Sequence, residues 1–469
     1  MDGPTAVPSA VHETQPERPP GIIYDLDERP PLPRLLLFAA QHLMVGFAVM
    51  IGVPLAFSAI VGLDGKAQTL LISGVLVAGG VVTILQSIGL GPIGARLPLV
   101  NSTTFKFLGP LVLAYKAGGF GAVYGAAIIS GFITAGLGTV VGRIQRIFTP
   151  FIVGAFLVIT GAALMPIALS NLLGLGKPYE GSPAALAAGA VPLIIMIGLS
   201  VTTSRRLRPL RPVAVLVGFG IGYAVSAVLG LITWAPVADA SWFGLALPYS
   251  LGTPSWPGLV LTITVTGVFL ACLVETAGDS TAVSAILGRK ISPKQLRGAV
   301  IADGLSGPIS SVFGGLPMTT YGQNVGLVRL SGVGSRYVVA GTGVLLIVVG
   351  ALPKFAALIS AMPSPVLGAG LVMTFGMIAA EGIRRAGPHL ASPRNAAVLT
   401  LGLVPAIGLR TLPPEFLARI PGEIAPLLTD ALVTGLLVTI AAHLILPGRT
   451  EGSDRQPAAQ GEGAPQPAH

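Results

Sequence analysis

The chain has little charge and almost no cysteine. Only 10% of its 469 residues are charged, and Cys272 is its single cysteine. One cysteine excludes an intramolecular disulfide framework. The chain is 52% hydrophobic, and apolar runs of near-spanning length recur along it, so little of it is left for a soluble domain. The sequence therefore predicts a polytopic helical membrane protein embedded in a lipid bilayer.

The basic residues do not indicate a nucleic-acid partner. The net charge is +9, but Lys and Arg are scattered through short loops. In a membrane protein this pattern is typical of residues that set orientation. Glycine and proline are abundant, at 63 and 40 residues, as expected where helices pack closely or are interrupted within the bilayer.

The two ends of the chain differ from its middle. Residues 1–34 are polar and Pro-rich with no apolar run at the start, so we expect no cleavable signal peptide. Residues 447–469 are rich in Pro, Gly, Gln and Ala, a composition typical of disorder. We expect a cytoplasmic tail over 1–34, a transmembrane region over 35–446 and a disordered cytoplasmic tail over 447–469.

The transmembrane region contains fourteen apolar segments, of which the third and tenth are too short or too broken by Gly and Pro to be simple helices. They lie near residues 35–60, 68–88, 99–116, 119–141, 147–170, 184–203, 212–232, 257–287, 297–313, 316–331, 336–353, 355–382, 393–409 and 426–446.

The loop charges support this count. With both termini cytoplasmic, the inner loops carry fifteen Lys and Arg residues and the outer loops carry six. This excess inside is the asymmetry of the positive-inside rule. The inner residues are Arg96, Arg143, Arg146, Arg205, Arg206, Arg208, Arg211, Arg289, Lys290, Lys294, Arg297, Arg336, Arg384, Arg385 and Arg394. The outer residues are Lys66, Lys116, Lys177, Lys354, Arg410 and Arg419.

The third and tenth segments share a short pattern. Leu-Pro at 97–98 precedes Thr-Thr-Phe at 103–105, and Leu-Pro at 316–317 precedes Thr-Thr-Tyr at 319–321. Because the two segments lie seven apart and seven is odd, a repeat of seven segments would be inverted. Paired broken segments in two such halves indicate the binding site of a transporter.

Two polar runs lie inside apolar segments: Glu275-Thr-Ala-Gly-Asp279 and Gln323-Asn324-Val325-Gly326. An aspartate near the centre of a membrane helix costs about 2.5–3.5 kcal/mol on insertion scales, so such residues are functional by default. Glu275 can accept two hydrogen bonds from ring N–H groups and can carry a proton in a dry cleft. Alternatively, it is a structural carboxylate paired with Lys106 or with backbone amides.

The motifs, in this order and spacing over roughly residues 30–445, resemble the nucleobase–ascorbate transporters, or nucleobase–cation symporter-2 family, which includes xanthine and uracil permeases. Gln41-His42 resembles the family's Gln-His pair, and 275–279 its eighth-segment acidic motif. Residues 323–326 followed by Ser331 resemble its signature, and 94–110 its third segment.

The resemblance implies an all-α polytopic fold of fourteen transmembrane segments in two inverted seven-segment repeats, with short strands in segments 3 and 10. Segments 1–4 and 8–11 would form a core domain, and segments 5–7 and 12–14 a gate domain. Family members import purines, pyrimidines or ascorbate, the microbial ones mostly by proton symport, and resemble dimers in architecture.

The resemblance also assigns candidate roles. Gln323 offers an acceptor and two donors, which match the edge of an oxopurine, and glutamine here is similar to the xanthine or urate type rather than the uracil type. Asp279, on the same helix face as Glu275, indicates the same type. The candidate substrate site is Glu275, Gln323, Phe105, Tyr321, Lys106 and Gly322. Candidates for proton coupling or support are His42, Asp279, Asp303, Asn324 and Gln41. For Asp279 a supporting role as a cap or brace is the alternative to direct contact, and for the two aromatic residues the alternative is packing.

Lys106 departs from the family, in which the matching position is usually small or neutral. A lysine there can attract an anionic substrate such as urate, or it can pair with Glu275 or Asp279 as a fixed internal cation that weakens the need for a proton. The simpler alternative is a side chain that extends along its stem to water.

The sequence thus predicts a secondary active transporter of the plasma membrane for a purine nucleobase, with xanthine or urate favoured, working by alternating access as a homodimer. The first alternative is an anion or carboxylate transporter of the same architecture, which Lys106 favours and Glu275 opposes. An intramembrane enzyme is disfavoured, because the chain has no metalloprotease-type His/Glu helix motif and no second nucleophile constellation. We expect neither a cofactor nor a bound metal.

Overall fold

The structure is a computed structural model that describes residues 19–138, 149–244, 248–417, 419 and 431–447. Its helices are α1 (Leu32–Val61), α2 (Gly65–Ile88), α3 (Leu108–Leu137), α4 (Pro150–Leu172), α5 (Pro183–Val201), α6 (Ala214–Val228), α7 (Ala235–Asp239), α8 (Leu259–Ile286), α9 (Pro293–Val312), α10 (Gly322–Ser331), α11 (Arg336–Gly350), α12 (Pro353–Ser360), α13 (Ser364–Ala386), α14 (Pro393–Gly408), α15 (Pro414–Leu417) and α16 (Ala431–Ile445). Four 3-10 turns span Phe105–Phe107, Arg208–Val213, Gly387–His389 and Leu409–Thr411.

Polar side chains mark where several of the apolar helices begin. The carboxylate of Asp64 accepts a hydrogen bond from the backbone N–H of Ala67 at 2.8 Å, at the start of α2. The hydroxyls of Thr149, Ser182 and Ser292 cap α4, α5 and α9 in the same way. Since the first N–H groups of a helix have no partner within it, these caps define helix ends that apolar sequence alone does not.

The helices are those of a multi-pass membrane protein. Among the described residues eight helices are long and apolar enough to cross a membrane, and the pair α11 and α12, which meet at 79°, would make a ninth. Apolar side chains such as Val228 and Ile194 are 88% and 67% exposed, as expected for a surface in contact with lipid. This number is below the fourteen predicted segments, because helices such as α10, of 10 residues, are too short to span by themselves.

Parts of the predicted segments lie outside the described residues. These are 139–141 of the fourth segment, 147–148 of the fifth and 426–430 of the fourteenth, together with 1–18 and 448–469 of the two tails.

Two segment boundaries differ from the prediction. The third and fourth segments join in one helix, α3, which is bent at Gly118 and Gly119; Gly119 has φ +60°, which favours glycine. The predicted twelfth segment, 355–382, is instead divided into α12 and α13 by residues 361–363. Apolar composition does not change at either point, so hydropathy could not locate them.

Two three-residue strands, β1 (Asn101–Thr103) and β2 (Met318–Thr320), lie inside the third and tenth predicted segments. They pair antiparallel, with Ser102 opposite Thr319. The backbone N–H of Tyr321 donates to the carbonyl of Val100 at 2.9 Å and extends the pairing by one bond. The pairing brings two distant broken segments to one point in the bundle.

Most helix packing occurs within two sets. The first helix set is α1, α2, α3, α8, α9, α10, α11 and α12, which also contacts the two strands, and the second helix set is α4, α5, α6, α13, α14 and α16. The most extensive pairs are α4 with α13 in the second set and α2 with α11 in the first. The candidate site lies between these sets.

Part of the polar N-terminal region packs on the first helix set. Ile22 and Leu26 are buried against the ends of α8 and α9. Asp25 pairs with Arg289 at 2.7 Å, and Asp27 with Arg336 at 2.8 Å. Residues 19–31 therefore lie along one end of the bundle.

Close contact between α3 and α9 depends on glycine. A Cβ placed on Gly304 would lie 2.5 Å from the backbone nitrogen of Ala135 and 2.7 Å from the carbonyl oxygen of Gly131. Helices pack this closely in membranes through small residues.

Gly304→Ala should therefore force α3 and α9 apart and destabilise the protein by about 1–3 kcal/mol, the usual cost of overpacking. A fall in the melting temperature of the detergent-purified protein measures it. Gly267→Ala, on α8 with nothing within 4 Å of the new methyl group, is the matched control and should not lower the melting temperature. Equal shifts for the two variants would contradict the proposed contact.

Candidate functional site

A cavity of about 150 Å³ lies between the two helix sets, beside the paired strands. One wall consists of β1, β2, the residues that follow each strand, and the middle of α8. The other consists of α4 and α13. The lining includes all six predicted substrate-site residues: Glu275, Gln323, Phe105, Tyr321, Lys106 and Gly322. The structure thus brings together residues that are up to 218 positions apart in the chain, from 105 to 323.

Lys106 and Glu275 form an ion pair in this wall. Their side chains are only 6% and 13% exposed. Lys106 lies in the 3-10 turn after β1. Its ammonium reaches Glu275 on α8, and the side chain does not extend to water. A buried charge pair is tolerated because each ion offsets the desolvation of the other, and removing one partner leaves an uncompensated charge.

Asp279 lies one helical turn after Glu275 and packs over the first residue of α10. A Cβ on Gly322 would come within 3.2 Å of Asp279 Oδ1 and 3.3 Å of Oδ2. A methyl group at this position would be a tight contact for the carboxylate, so glycine favours this approach. The position of the carboxylate beside a helix N-terminus is favourable, since that end carries partial positive charge.

The predicted polar and aromatic residues of the wall have distinct surroundings. Gln323 is exposed to the cavity, and the hydroxyl of Tyr321 donates to the carbonyl of Val45 at 3.3 Å. Phe105 is buried and packs edge-on against Phe375 of α13, with ring centroids 4.9 Å apart. Phe105 therefore both lines the cavity and joins the two helix sets.

Asp303 lies outside the cavity lining and connects the elements behind it. It accepts hydrogen bonds from Asn101 of β1 at 2.7 Å, from Thr319 of β2 at 2.9 Å, and from Thr276 of α8. The backbone N–H of Thr320 lies 3.4 Å from the same carboxylate. One buried acid on α9 thus links both strands to α8.

Two further predicted support residues, His42 and Asn324, are buried and lie outside the cavity lining. Nδ1 of His42 is hydrogen-bonded to the side-chain oxygen of Asn324, whose amide donates to the carbonyl of Pro98 at 2.7 Å. These contacts join α1, the start of α10 and the chain before β1. Gln41 is exposed on α1 and does not line the cavity.

Two charged residues of the lining were not predicted. Glu381 and Arg385 of α13 face the cavity from the second helix set, and their side chains pair at 2.6 Å. The loop charges predict Arg385 in an inner loop, whereas the structure places it in the last turn of α13. The available signal was the four-residue spacing of opposite charges at the end of an apolar segment, which is typical of a helical ion pair.

A bundle of apolar helices around a cavity lined by paired charges and interrupted backbone is the architecture of a membrane transporter. Residues 33–414 match the Permease family (Xan_ur_permease). Because the match covers most of the chain, the protein belongs to this family, the nucleobase–ascorbate transporters that its motifs resemble. It is a transporter and not an enzyme.

Individual relatives agree with this membership. The chain is 31% identical over 429 residues to the uric acid transporter UacT of Escherichia coli strain K12, covering 90% of this chain and 88% of that protein. It is 30% identical over 453 residues to the xanthine permease XanP of the same strain, covering 91% and 95%.

A solved structure shares the fold. The murine anion transporter Slc26a9, in its inward-facing state, superposes with a TM-score of 0.62 at 12% sequence identity. The match covers 89% of this chain and 68% of that transporter. At this identity the likeness concerns the fold alone.

Asp303→Asn should destabilise the protein, because it replaces one of the two acceptor oxygens that Asn101, Thr276 and Thr319 bond to. The expected cost is about 1–3 kcal/mol, as for a buried polar group left unsatisfied. The melting temperature of purified protein measures this. Asp279→Asn is the control for stability: no described residue donates a side-chain hydrogen bond to Asp279, so its melting temperature should change less. A larger effect of Asp279→Asn would contradict the bracing contacts.

Proposed function

We propose that the protein is a secondary active transporter for a purine nucleobase, xanthine or urate being favoured, and that it works by alternating access. The observation that carries this proposal is the cavity in which Glu275, Asp279 and Gln323 lie together beside two interrupted segments. The relatives named as uric acid and xanthine transporters support the choice of substrate.

The chemistry of the lining suits an oxopurine. Gln323 can donate to a carbonyl oxygen and accept from a ring N–H, and Glu275 can accept from a further N–H. The helices that follow β1 and β2 begin at the cavity, so their partly positive N-terminal ends favour electron-rich oxygen atoms. Phe105 and Tyr321 provide aromatic surface for the flat base.

We propose that the fourteen segments form two inverted repeats, with a core domain of segments 1–4 and 8–11 and a gate domain of segments 5–7 and 12–14. The two helix sets support this division, since segments of each proposed domain pack chiefly with one another, although α12, in the predicted twelfth segment, packs with the first set. The antiparallel pairing of β1 and β2 supports the inverted relation. Alternating access would then be motion of one set against the other around the cavity.

We propose that the proton gradient drives uptake and that Glu275 carries the proton. The ion pair with Lys106 supports a modification of this mechanism, in which the lysine is a fixed internal cation that partly replaces the proton. We also propose that the protein is a homodimer in the plasma membrane, as the family resemblance implies. The loop charges favour an orientation with both termini cytoplasmic.

An anion or carboxylate transporter is the alternative function. The presence of Lys106 in the cavity lining favours it. The ion pair opposes it, because Glu275 neutralises the lysine and would repel a bare anion.

Labelled xanthine uptake should separate the two functions. In cells that lack other purine uptake and express this chain, unlabelled xanthine and urate should compete strongly, uracil weakly and sulfate not at all. Gln323 suits the edge of an oxopurine. Sulfate has no N–H group that could donate a hydrogen bond to Glu275. Competition by sulfate without competition by nucleobases would refute the purine proposal and support the anion alternative.

Lys106→Asn should make uptake more dependent on pH. Without the lysine, Glu275 lacks its internal cation and must bind a proton to be neutral in the cavity, so uptake should rise as pH falls. Uptake rates over a pH series, with and without a protonophore, measure this. Lys294→Asn, at an exposed position of α9, is the matched control and should retain the wild-type profile. Identical profiles for both variants would refute the fixed-cation role.

A further inference from the structure

The cavity has a second cation, on the wall opposite Lys106. Arg385 lies in the last turn of α13 and lines the same space as Glu275 and Asp279. Its charge interacts with both carboxylates across the boundary between the helix sets. The residues predicted from the sequence to contact substrate lie on α8, on α10 or directly after the strands. Arg385 of the second helix set therefore adds a guanidinium that this wall lacks.

Arg385 is oriented by one contact that leaves most of its donors available. Its Nε donates to Glu381 Oε1 at 2.6 Å. No other hydrogen bond from the guanidinium to a described residue is present, so its terminal N–H groups are available to a ligand. The guanidinium is planar and presents its donors in a rigid fork, which suits paired oxygen acceptors or delocalised negative charge.

The backbone that carries Arg385 is firmly placed. Helix α13 packs on α4 so closely that a Cβ on Gly154 would lie 2.6 Å from the backbone nitrogen of Ala386 and 3.0 Å from the Cβ of Arg385. The Cβ of Arg385 is therefore held at a fixed position on the second helix set. A side chain on a rigid element is suited to recognition.

The charges of the two walls are not equivalent. Lys106 is neutralised by Glu275, and both are buried. Arg385 is 37% exposed and shares Glu381 with Arg384, so its positive charge is only partly balanced. The less neutralised cation in the lining is thus on the second helix set.

We propose that Arg385 is a specificity-determining residue that binds the oxygen-rich edge of an oxopurine opposite Glu275 and Gln323, and favours bases that carry negative charge. This inference rests on the proposed purine transport. Arginine reads carbonyl-bearing purine edges by paired hydrogen bonds in nucleic-acid recognition, which is the same donor–acceptor chemistry. A base with amino groups in place of oxygens would place N–H donors against the N–H donors of Arg385, and so would bind poorly.

The adjacent arginine provides a matched control. Arg384 also pairs with Glu381, but it is 79% exposed and does not line the cavity. Arg384→Gln and Arg385→Gln remove the same charge from neighbouring positions of one helix. A general effect of charge at this end of α13 would therefore appear in both variants.

The test measures KM for urate, an anion at neutral pH, and for hypoxanthine, a neutral base, with the amount of each variant in the membrane quantified. Arg385→Gln should raise KM for urate about 10- to 100-fold, the range for loss of a charge-assisted hydrogen bond. It should raise KM for hypoxanthine less. Arg384→Gln should change neither value, and Arg385→Lys, which retains charge without the planar fork, should be intermediate.

Equal KM changes for urate and hypoxanthine, or equal effects of the two glutamine variants, would overturn the proposal. If Arg385→Gln does not reach the membrane, the test uses purified Arg385→Lys and measures its urate affinity by titration. An affinity equal to that of the wild type would refute the planar-fork contact. Failure of the wild-type chain to take up any purine would refute the proposed function and this inference with it. Normal wild-type uptake with an unaffected Arg385→Gln would refute this inference alone.

Discussion

The pairing of β1 with β2 is the constraint on which the candidate site depends. Backbone outside a helix cannot satisfy its own N–H and C=O groups, and at membrane depth water is not available to do so. Here two interrupted segments satisfy each other through an antiparallel ladder in which Ser102 is opposite Thr319. The interruption leaves room for a cavity and starts two helices at its edge. Asp303 reinforces the arrangement by accepting hydrogen bonds from both strands and from α8.

Charge in this cavity is arranged in pairs that belong to different walls. Lys106 and Glu275 pair within the first helix set, whereas Glu381 and Arg385 pair within the second. Each helix set therefore holds one ion pair of its own. If the two sets move relative to each other, neither pair need break, so a change of access would not expose a bare buried ion.

The sequence predicted the chemistry of the first wall better than that of the second. Glu275 and Gln323 were identifiable because polar residues inside apolar segments are costly and their spacing matches a family pattern. Glu381 and Arg385 lie at the end of an apolar segment, where charges are expected on orientation grounds alone. Asp303 was predicted as a brace or relay, but the hydrogen bonds that make it a link between the two strands depend on residues far away in the chain. The bends at Gly118–Gly119 and at 361–363 had no hydropathy signal.

The sequence by itself determined that this is a polytopic membrane protein of the nucleobase–ascorbate transporter family, because apolar composition and motif spacing are local properties of the chain. It also determined which acids and amides must be accommodated at membrane depth. Only the tertiary structure decided which charges meet. Lys106 could have reached water, Asp279 or Glu275, and the turn after β1 brings it to Glu275. The position of Arg385 beside the cavity likewise follows from the close packing of α13 on α4, a contact between helices that no single segment encodes.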